Sequence, residues 1–276
     1  MHVAVLGHVE WVWFGSVDRI PGPGDIAHAT DEWEEPAGGG AVAAVQLAKL
    51  AGSCDLFTAL GDDELGLRAR SELTALGLDL QAGSREDRTR RALTLVDSAG
   101  ERTITTLGRR LTAAGADPLA WERLGGADAV YVTGVYAYAF RLARHARVMV
   151  VTTRVLEELL DADVAPDALV GSANDPAEHV DVEMLPWRPP VLVLTQGRSG
   201  GRFQTSSGAT GRYEAVEVTG PAGDAYGAGD SFAAGLTFAL GAGWEPSRAV
   251  AFAARCGAAC ASGRGPYSGQ LGAADI

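Results

Sequence analysis

The 276-residue chain has few of the features that mark secreted, membrane-spanning or nucleic-acid-binding proteins. It has three cysteines, Cys54, Cys256 and Cys260, and so small an odd number is no disulfide framework. Cys256 and Cys260 lie four apart in an Ala-rich stretch and share a helix face. No further metal ligands are evident beside them, so they are read as packed thiols. No run of about 18 apolar residues occurs, which excludes a transmembrane helix. The first residues enter a strand-like stretch with no basic segment and no cleavage site, so a cytoplasmic protein is expected. Basic residues are the minority: 23 Lys and Arg against 35 Asp and Glu give a net charge of −12. That balance argues against a nucleic-acid partner and against an anionic membrane surface. It does not argue against a nucleotide, for which a few local N–H groups and a metal suffice.

What the chain does have is glycine at telling places. In Asp224-Ala225-Tyr226-Gly227-Ala228-Gly229-Asp230-Ser231-Phe232, the residues upstream (213–218) alternate like a strand and those downstream (231–240) read as a buried helix. Gly227 and Gly229 fall where strand turns into helix and let the backbone approach a ligand. The unpaired N–H groups of Gly227, Ala228 and Gly229 and the helix dipole make that turn an anion hole. Asp230 sits inside the hole, where it repels a phosphate. A carboxylate there has a purpose if it takes a proton from an attacking hydroxyl. The bland alternative is a tight turn or helix cap. The helix start is expected to keep Asp230 ionised.

Short apolar strands near 3–6, 54–59, 129–133, 148–151, 168–171 and 191–194 alternate with Ala/Leu-rich helices near 40–50, 64–76, 118–124, 155–162, 228–241 and 246–261. This alternation predicts a doubly wound parallel sheet with helices on both faces. With 47% hydrophobic residues the whole chain, 1–276, is expected to fold as one α/β domain. Segments 8–36 and 89–107 break the pattern and read as β-hairpins. Val9, Trp11 and Trp13 share one strand face, and Val12 and Phe14 the other. A thin sheet apolar on both faces has one face for substrate and one for a partner, so a homodimer through this sheet is expected. The competing reading fastens the tryptophans to their own domain.

On these residues the chain resembles the ribokinase-like (PfkB-type) carbohydrate kinases. The turn matches that family's Asp-Thr-x-Gly-Ala-Gly-Asp-x-Phe motif, with Ala225 in place of Thr. Val3-Ala4-Val5-Leu6-Gly7 resembles its first strand, Gly38-Gly39-Gly40-Ala41 its first glycine motif, and Leu60-Gly61-Asp62-Asp63-Glu64-Leu65-Gly66 the segment that follows. Thr195-Gln196-Gly197-Arg198-Ser199-Gly200 is similar to its nucleotide strand.

The resemblance implies ATP-dependent phosphorylation of a hydroxyl on a sugar-like small molecule, with Mg²⁺ and in many members a monovalent cation such as K⁺. Segments 8–36 and 89–107 then form a β-lid over the sugar. Asp230 is the implied base and the turn Gly227-Ala228-Gly229 the anion hole. Thr195, Gly197 and Gly200 serve the nucleotide, with helix 250–261 and the loop around Gly265 beside adenine. Asp224 either helps hold the monovalent cation or forms the turn. Asp175 and Glu178 are the metal candidates, matching an Asn-x-x-Glu pattern with Asp for Asn. Read plainly, Asp175-Pro176 is also a helix N-cap with Glu178 completing a capping box. Gly38 and Gly39 border the sugar.

Departures from the family occur where sugar hydroxyls are usually gripped: Glu10, Val12 and Val42 stand at positions that usually carry Asn or Asp. Ribose itself is therefore not the expected best substrate. Trp11 or Trp13 could stack on a flatter one. A nucleoside kinase of the same fold is the alternative function. A non-catalytic binding regulator is the second, disfavoured because it needs no base in its anion hole.

Overall fold

The computed structural model describes residues 1–217 and 223–276. In chain order the strands are β1 (Val3–Leu6), β2 (Glu10–Ser16), β3 (Asp31–Ala37), β4 (Cys54–Gly61), β5 (Leu78–Arg85), β6 (Arg91–Val96) and β7 (Arg102–Leu107). Then come β8 (Ala129–Val132), β9 (Val148–Thr152), β10 (Ala168–Ser172), β11 (Val191–Thr195), β12 (Gly201–Thr205) and β13 (Thr210–Tyr213). The helices are α1 (Gly39–Ala51), α2 (Glu64–Ala75), α3 (Ala137–Ala143), α4 (Leu156–Asp161), α5 (Ala228–Gly241) and α6 (Pro246–Ala261).

A nine-stranded sheet runs β13-β12-β11-β10-β9-β8-β1-β4-β5, parallel from β11 to β5, with β12 and β13 antiparallel at one edge. Its central strands are apolar on both faces because both faces are covered: every residue of β1, β4 and β8 is buried. One core packs α1, α2, α5 and α6 on one face, and a second packs α3 and α4 on the other. Cys256 fits where Gly235 of α5 leaves room, and all three thiols are buried and unpaired.

The two segments that break the βα rhythm form a second sheet, β3-β2-β6-β7. Each hairpin is antiparallel, and β2 joins the two by pairing parallel with β6. The register stacks Val12 with Ala92 and Thr106, Phe14 with Thr94 and Ile104, and Ser16 with Val96 and Arg102. Paired residues share a face, so this inner row continues from Glu10 on β2 to Arg102 on β7.

Three expectations are corrected. The strand read over 213–218 is displaced: β13 ends at Tyr213, Glu214 to Glu217 are irregular, and Val218 lies outside the described residues. The helix read at 118–124 is a 3₁₀ turn, Trp121–Gly126, ended by its own paired glycines. Glu178 completes no α-helical capping box, since Pro176–Glu178 is a single 3₁₀ turn capped by Asp175. β5, α3 and β12 carry too weak a pattern to be read from sequence, because each is short or only half-buried.

Candidate active site

The C-terminal ends of the parallel strands, where open α/β sheets place ligands, bring together Gly7-His8 after β1, Thr133 after β8, Arg154 after β9, Asp175 and Glu178 after β10 and Thr195 and Gly197 after β11. Two helix N-termini close on the same point. Gly227, at φ 78°, is the N-cap of α5. Besides the strain of that angle, a side chain there would strike Val42, its Cβ 2.7 Å from Cγ1. Gly39 opens α1, where a Cβ would lie 2.8 Å from Oδ1 of Asp230 and 3.1 Å from Oγ1 of Thr133. Only glycine lets the start of α1 come this close to the carboxylate.

Asp230 therefore lies in the first turn of α5, facing the start of α1. Burial pushes its pKa up to about 6, and the positive charges of Arg102 and Arg154 oppose that rise. Desolvation raises Asp230 above an ordinary carboxylate, yet a value near 6 still leaves it ionised at neutral pH. A carboxyl poised near neutrality suits proton transfer better than a strongly acidic one.

Tyr226 ties the site together. Gly38 N–H donates to its Oη at 3.2 Å, and that hydroxyl donates to Oε1 of Glu10 at 3.4 Å. Its ring takes the edge of Phe14, centroids 5.0 Å apart. Thus the inner face of the small sheet, Glu10-Val12-Phe14, rests on the glycine turn. Asp224 fixes the turn from behind, its two oxygens accepting from Tyr226 N (2.9 Å) and Gly265 N (2.7 Å).

A cavity of about 620 Å³ opens on the outer side of the turn, a size that takes a nucleotide. Ala228 and Gly229 form its floor, and a Cβ on Gly229 would meet nothing within 4 Å. Ala228 N–H makes only a long 3.4 Å bond to Ala225, as expected of donors in a first helical turn. Phe232 with Ala254, Gly257, Ala258 and Ala261 supplies an apolar wall, and Thr195, Gly197 and Gly200 the strand side. Gly100, at the β6–β7 turn, reaches the same cavity. Of the nucleotide candidates, Asp224 and Gly265 stand outside its lining. Gly265 packs under Glu35 and Trp33 of β3 instead.

The carboxylates after β10 are neutralised. Glu178 accepts from Ser172 N at 2.8 Å and pairs with Arg154, which also holds Asp175 at 2.7 Å. Arg154 belongs to a cationic group absent from the sequence reading. Burial first, and then Arg110, Arg90 and Arg154, depress His8 to about 3, so it is neutral in use. Arg90 lies 3.4 Å from Glu10, and Arg110 has no ion-pair partner among the described residues. A signal was present: Arg88, Arg90, Arg91, Arg102, Arg109 and Arg110 crowd one short stretch of an acidic chain.

The stacking role expected of Trp11 or Trp13 is also overturned, since both lie on the face away from Tyr226. Trp11 is buried beneath Arg68 (4.2 Å) and donates to Glu34 at 2.7 Å. Trp33 stacks on Phe14 at 4.8 Å with Arg264 above it.

A model of the pfkB family carbohydrate kinases matches residues 1–271. The chain is 30% identical, over 289 aligned positions covering 97% of it and 94% of the relative, to an ATP-dependent ribose-1-phosphate kinase of Halopiger xanaduensis. Among solved structures it is similar to a ribokinase of Thermotoga maritima (TM-score 0.79, 20% identity, 100% and 97% of the two chains). It is also similar to an Arabidopsis thaliana ribokinase complexed with ribose and ATP (TM-score 0.76, 18% identity, 99% and 96%).

Three outcomes are expected of Asp230. A base must be deprotonated to act, so turnover should fall as pH drops through about 6, provided Asp230 is the base. Asp230→Asn should lower turnover by about 10²–10⁴-fold. The same variant should melt no lower than the parent, because a carboxyl whose folded pKa is raised costs stability above that pKa. Turnover within a few-fold of the parent would place the base elsewhere.

Proposed function

The chain belongs to the pfkB family of carbohydrate kinases, and on that premise we propose that its acceptor is a sugar carrying a phosphate of its own. It is an ATP-dependent kinase of a sugar-like small molecule. The observation that carries the finer reading is that the positive charges of Arg90, Arg110 and Arg154 all bear on His8, which packs against Gly38 and Gly39 near Asp230. Guanidinium groups gathered near one point suit an anionic group, matching it in charge and geometry. The Halopiger relative, named for a sugar phosphate, supports the same reading. Glu10, Val12 and Val42 fit too: an acceptor gripped by its phosphate needs fewer hydroxyl partners. A nucleoside acceptor is less favoured, because the tryptophans that would stack on its base face away.

In the proposed reaction the acceptor hydroxyl lies beside Asp230, and Gly38, Gly39, Val12 and Glu10 border the sugar. Asp230 takes the hydroxyl proton as the oxygen attacks the γ-phosphorus. The N–H groups from Gly227 to Gly229 receive the charge on the transferred group, each such donor typically contributing about 3–4 kcal/mol. Thr195, Gly197 and Gly200 hold the nucleotide. No cluster of three or more acidic, His or Cys ligands gathers among the described residues, and Glu178 and Asp175 already share Arg154. These residues fit a Mg²⁺ held through water and do not fit a closed cage. Such a metal neutralises charge on the ATP phosphates. We assign Asp224 to holding the turn rather than a monovalent cation, since both its oxygens already accept backbone N–H groups. A cytoplasmic setting fits ATP use and three unpaired thiols.

For assembly, we infer that the outer face of the small sheet meets a second copy. Trp13 is 55% exposed, next to Leu93, with Leu107 on the same face. Trp11 and Trp33, by contrast, fasten the sheet to its own chain.

ADP release with Mg·ATP should show kcat/KM for a pentose phosphate exceeding that for ribose, hexoses and nucleosides by about 10²-fold. Arg110→Met should erase about 10-fold or more of that preference, one charge-assisted hydrogen bond being worth about 1.5–3 kcal/mol. Ribose matching every sugar phosphate would sink the proposal. Glu178→Gln should raise the Mg²⁺ needed for half-maximal rate, and an unchanged requirement would leave Glu178 a purely structural anchor for Arg154. In sedimentation the parent should run as a dimer and Trp13→Glu as a monomer; a monomeric parent would refute the lid interface.

A further inference from the structure

One side chain at the start of α1 has no task in the reaction described so far. His8 follows β1, and its carbonyl accepts from Gly40 N–H at 3.1 Å, which fixes the residue over the first turn of α1. Its ring lies along the glycines. A Cβ on Gly38 would meet Cδ2 of His8 at 3.2 Å and Cγ of Glu10 at 3.1 Å. A Cβ on Gly39 would meet Cε1 of His8 at 3.5 Å and Oδ1 of Asp230 at 2.8 Å. His8 therefore stands between Glu10 and Asp230 along one short piece of backbone. The ring is half-buried, and of its two nitrogens only Nδ1 is sealed in without a partner. Nε2 lies between Cδ2 and Cε1, on the edge that faces the glycines bordering the sugar.

The protonation state follows from the surroundings. Burial first, and then Arg110, Arg90 and Arg154, keep the ring neutral. A neutral imidazole carries one hydrogen. On Nδ1 that hydrogen would be aimed at Gly134 and would find no acceptor, and buried N–H groups without partners are rare. The hydrogen therefore belongs on Nε2, and the ring is a donor towards the cleft. It is not a second base. At about 3, against about 6 for Asp230, it holds a proton far less readily.

We propose that His8 is a specificity-determining residue, its Nε2–H donating to the acceptor hydroxyl nearest the one that Asp230 deprotonates. The inference rests on the kinase reading above and deepens it with a residue that the motifs do not mark. The attacked hydroxyl gives its proton to Asp230 and its lone pair to phosphorus. A donor on that same oxygen would hold the lone pair back. The next oxygen along Gly38 and Gly39 has no such duty, and His8 is the side chain that meets it. Held there, the sugar keeps its attacked hydroxyl at Asp230, and positioning is most of what phosphoryl transfer asks of a protein. A sugar lacking that neighbour is rejected, because it leaves the donor unpaired.

The test uses the full-length protein with Mg·ATP and ribose 1-phosphate, in which the free neighbour of any attacked hydroxyl is the 2- or the 3-hydroxyl. His8→Leu should lower kcat/KM by about 10-fold or more, while a non-hydrolysable ATP analogue binds within about 2-fold of the parent. His8→Gln sets an N–H near the place of Nε2 and should recover part of the loss. His8→Asn sets one near Nδ1 and should not. Either the 2-deoxy or the 3-deoxy sugar phosphate should lose about 10-fold with the parent and little more with His8→Leu, since both changes remove one bond. Losses that add for both deoxy forms would overturn the proposal, as would parent-like kinetics of His8→Leu. A parent that prefers free ribose to every sugar phosphate sinks the sugar-phosphate reading alone; the same cycle with ribose and its deoxy forms then decides His8. Nitrogen NMR needs no acceptor: His8 should be the neutral Nε2–H tautomer from about pH 5 to 8, and the Nδ1–H tautomer would overturn the proposal.

Discussion

The wedging of one half-buried carboxylate between two helix N-termini is the constraint on which the rest of the site depends. Asp230 lies in the first turn of α5 and faces the start of α1. Both helix ends favour negative charge, yet the half-buried carboxylate loses much of its hydration, and the second effect wins. The geometry allows no side chain at Gly39 and none at Gly227, where Val42 stands. It also requires an anchor behind the turn, which Asp224 supplies from a buried position by holding Tyr226 N and Gly265 N. A site that tolerates so costly a group tends to sacrifice stability for function.

Charge is distributed against the average of the molecule. The chain carries a net −12, but the positive charges of Arg90, Arg110 and Arg154 bear on one neutral histidine, His8. Only a few local donors are needed to hold a polyanion on an acidic protein, provided they are fixed before the ligand arrives. Arg154 is fixed by Asp175 and Glu178, and Arg90 by Glu10. Those carboxylates orient cations as much as they serve any metal, a role that spacing alone could not reveal.

The parallel sheet and the glycine turn were legible because their signals are local. β1 and β8 are continuous apolar runs, and the 224–232 segment carries its turn, cap and acid within nine residues. The small sheet was legible as an interruption of the βα rhythm at 8–36 and 89–107. Its orientation was not: alternation shows that Trp11 and Phe14 face opposite ways, not which way is inward. That is settled by Arg68 on α2 and by Tyr226, each distant in sequence. The arginine cluster was hidden for the same reason, since Arg90, Arg110 and Arg154 meet only after three strand ends converge. The strand misread at 213–218 shows the converse failure, alternation without a partner to pair with.

The parallel pairing of β2 with β6 has a consequence for how the molecule assembles itself. The residues joined there, Trp11 and Arg91 for instance, are about 80 positions apart, and β4, α2 and β5 occupy the chain between them. Closing so long a loop brings an entropy cost before any ladder bond compensates for it. The stretch in between folds largely through nearer contacts and can form first. The small sheet is therefore a late arrival, stitched once the strands beneath it have set the spacing of its two halves. The glycine turn waits on a longer closure still, since Gly38 reaches Tyr226 across 188 positions of chain. Catalytic competence comes only when both closures are made.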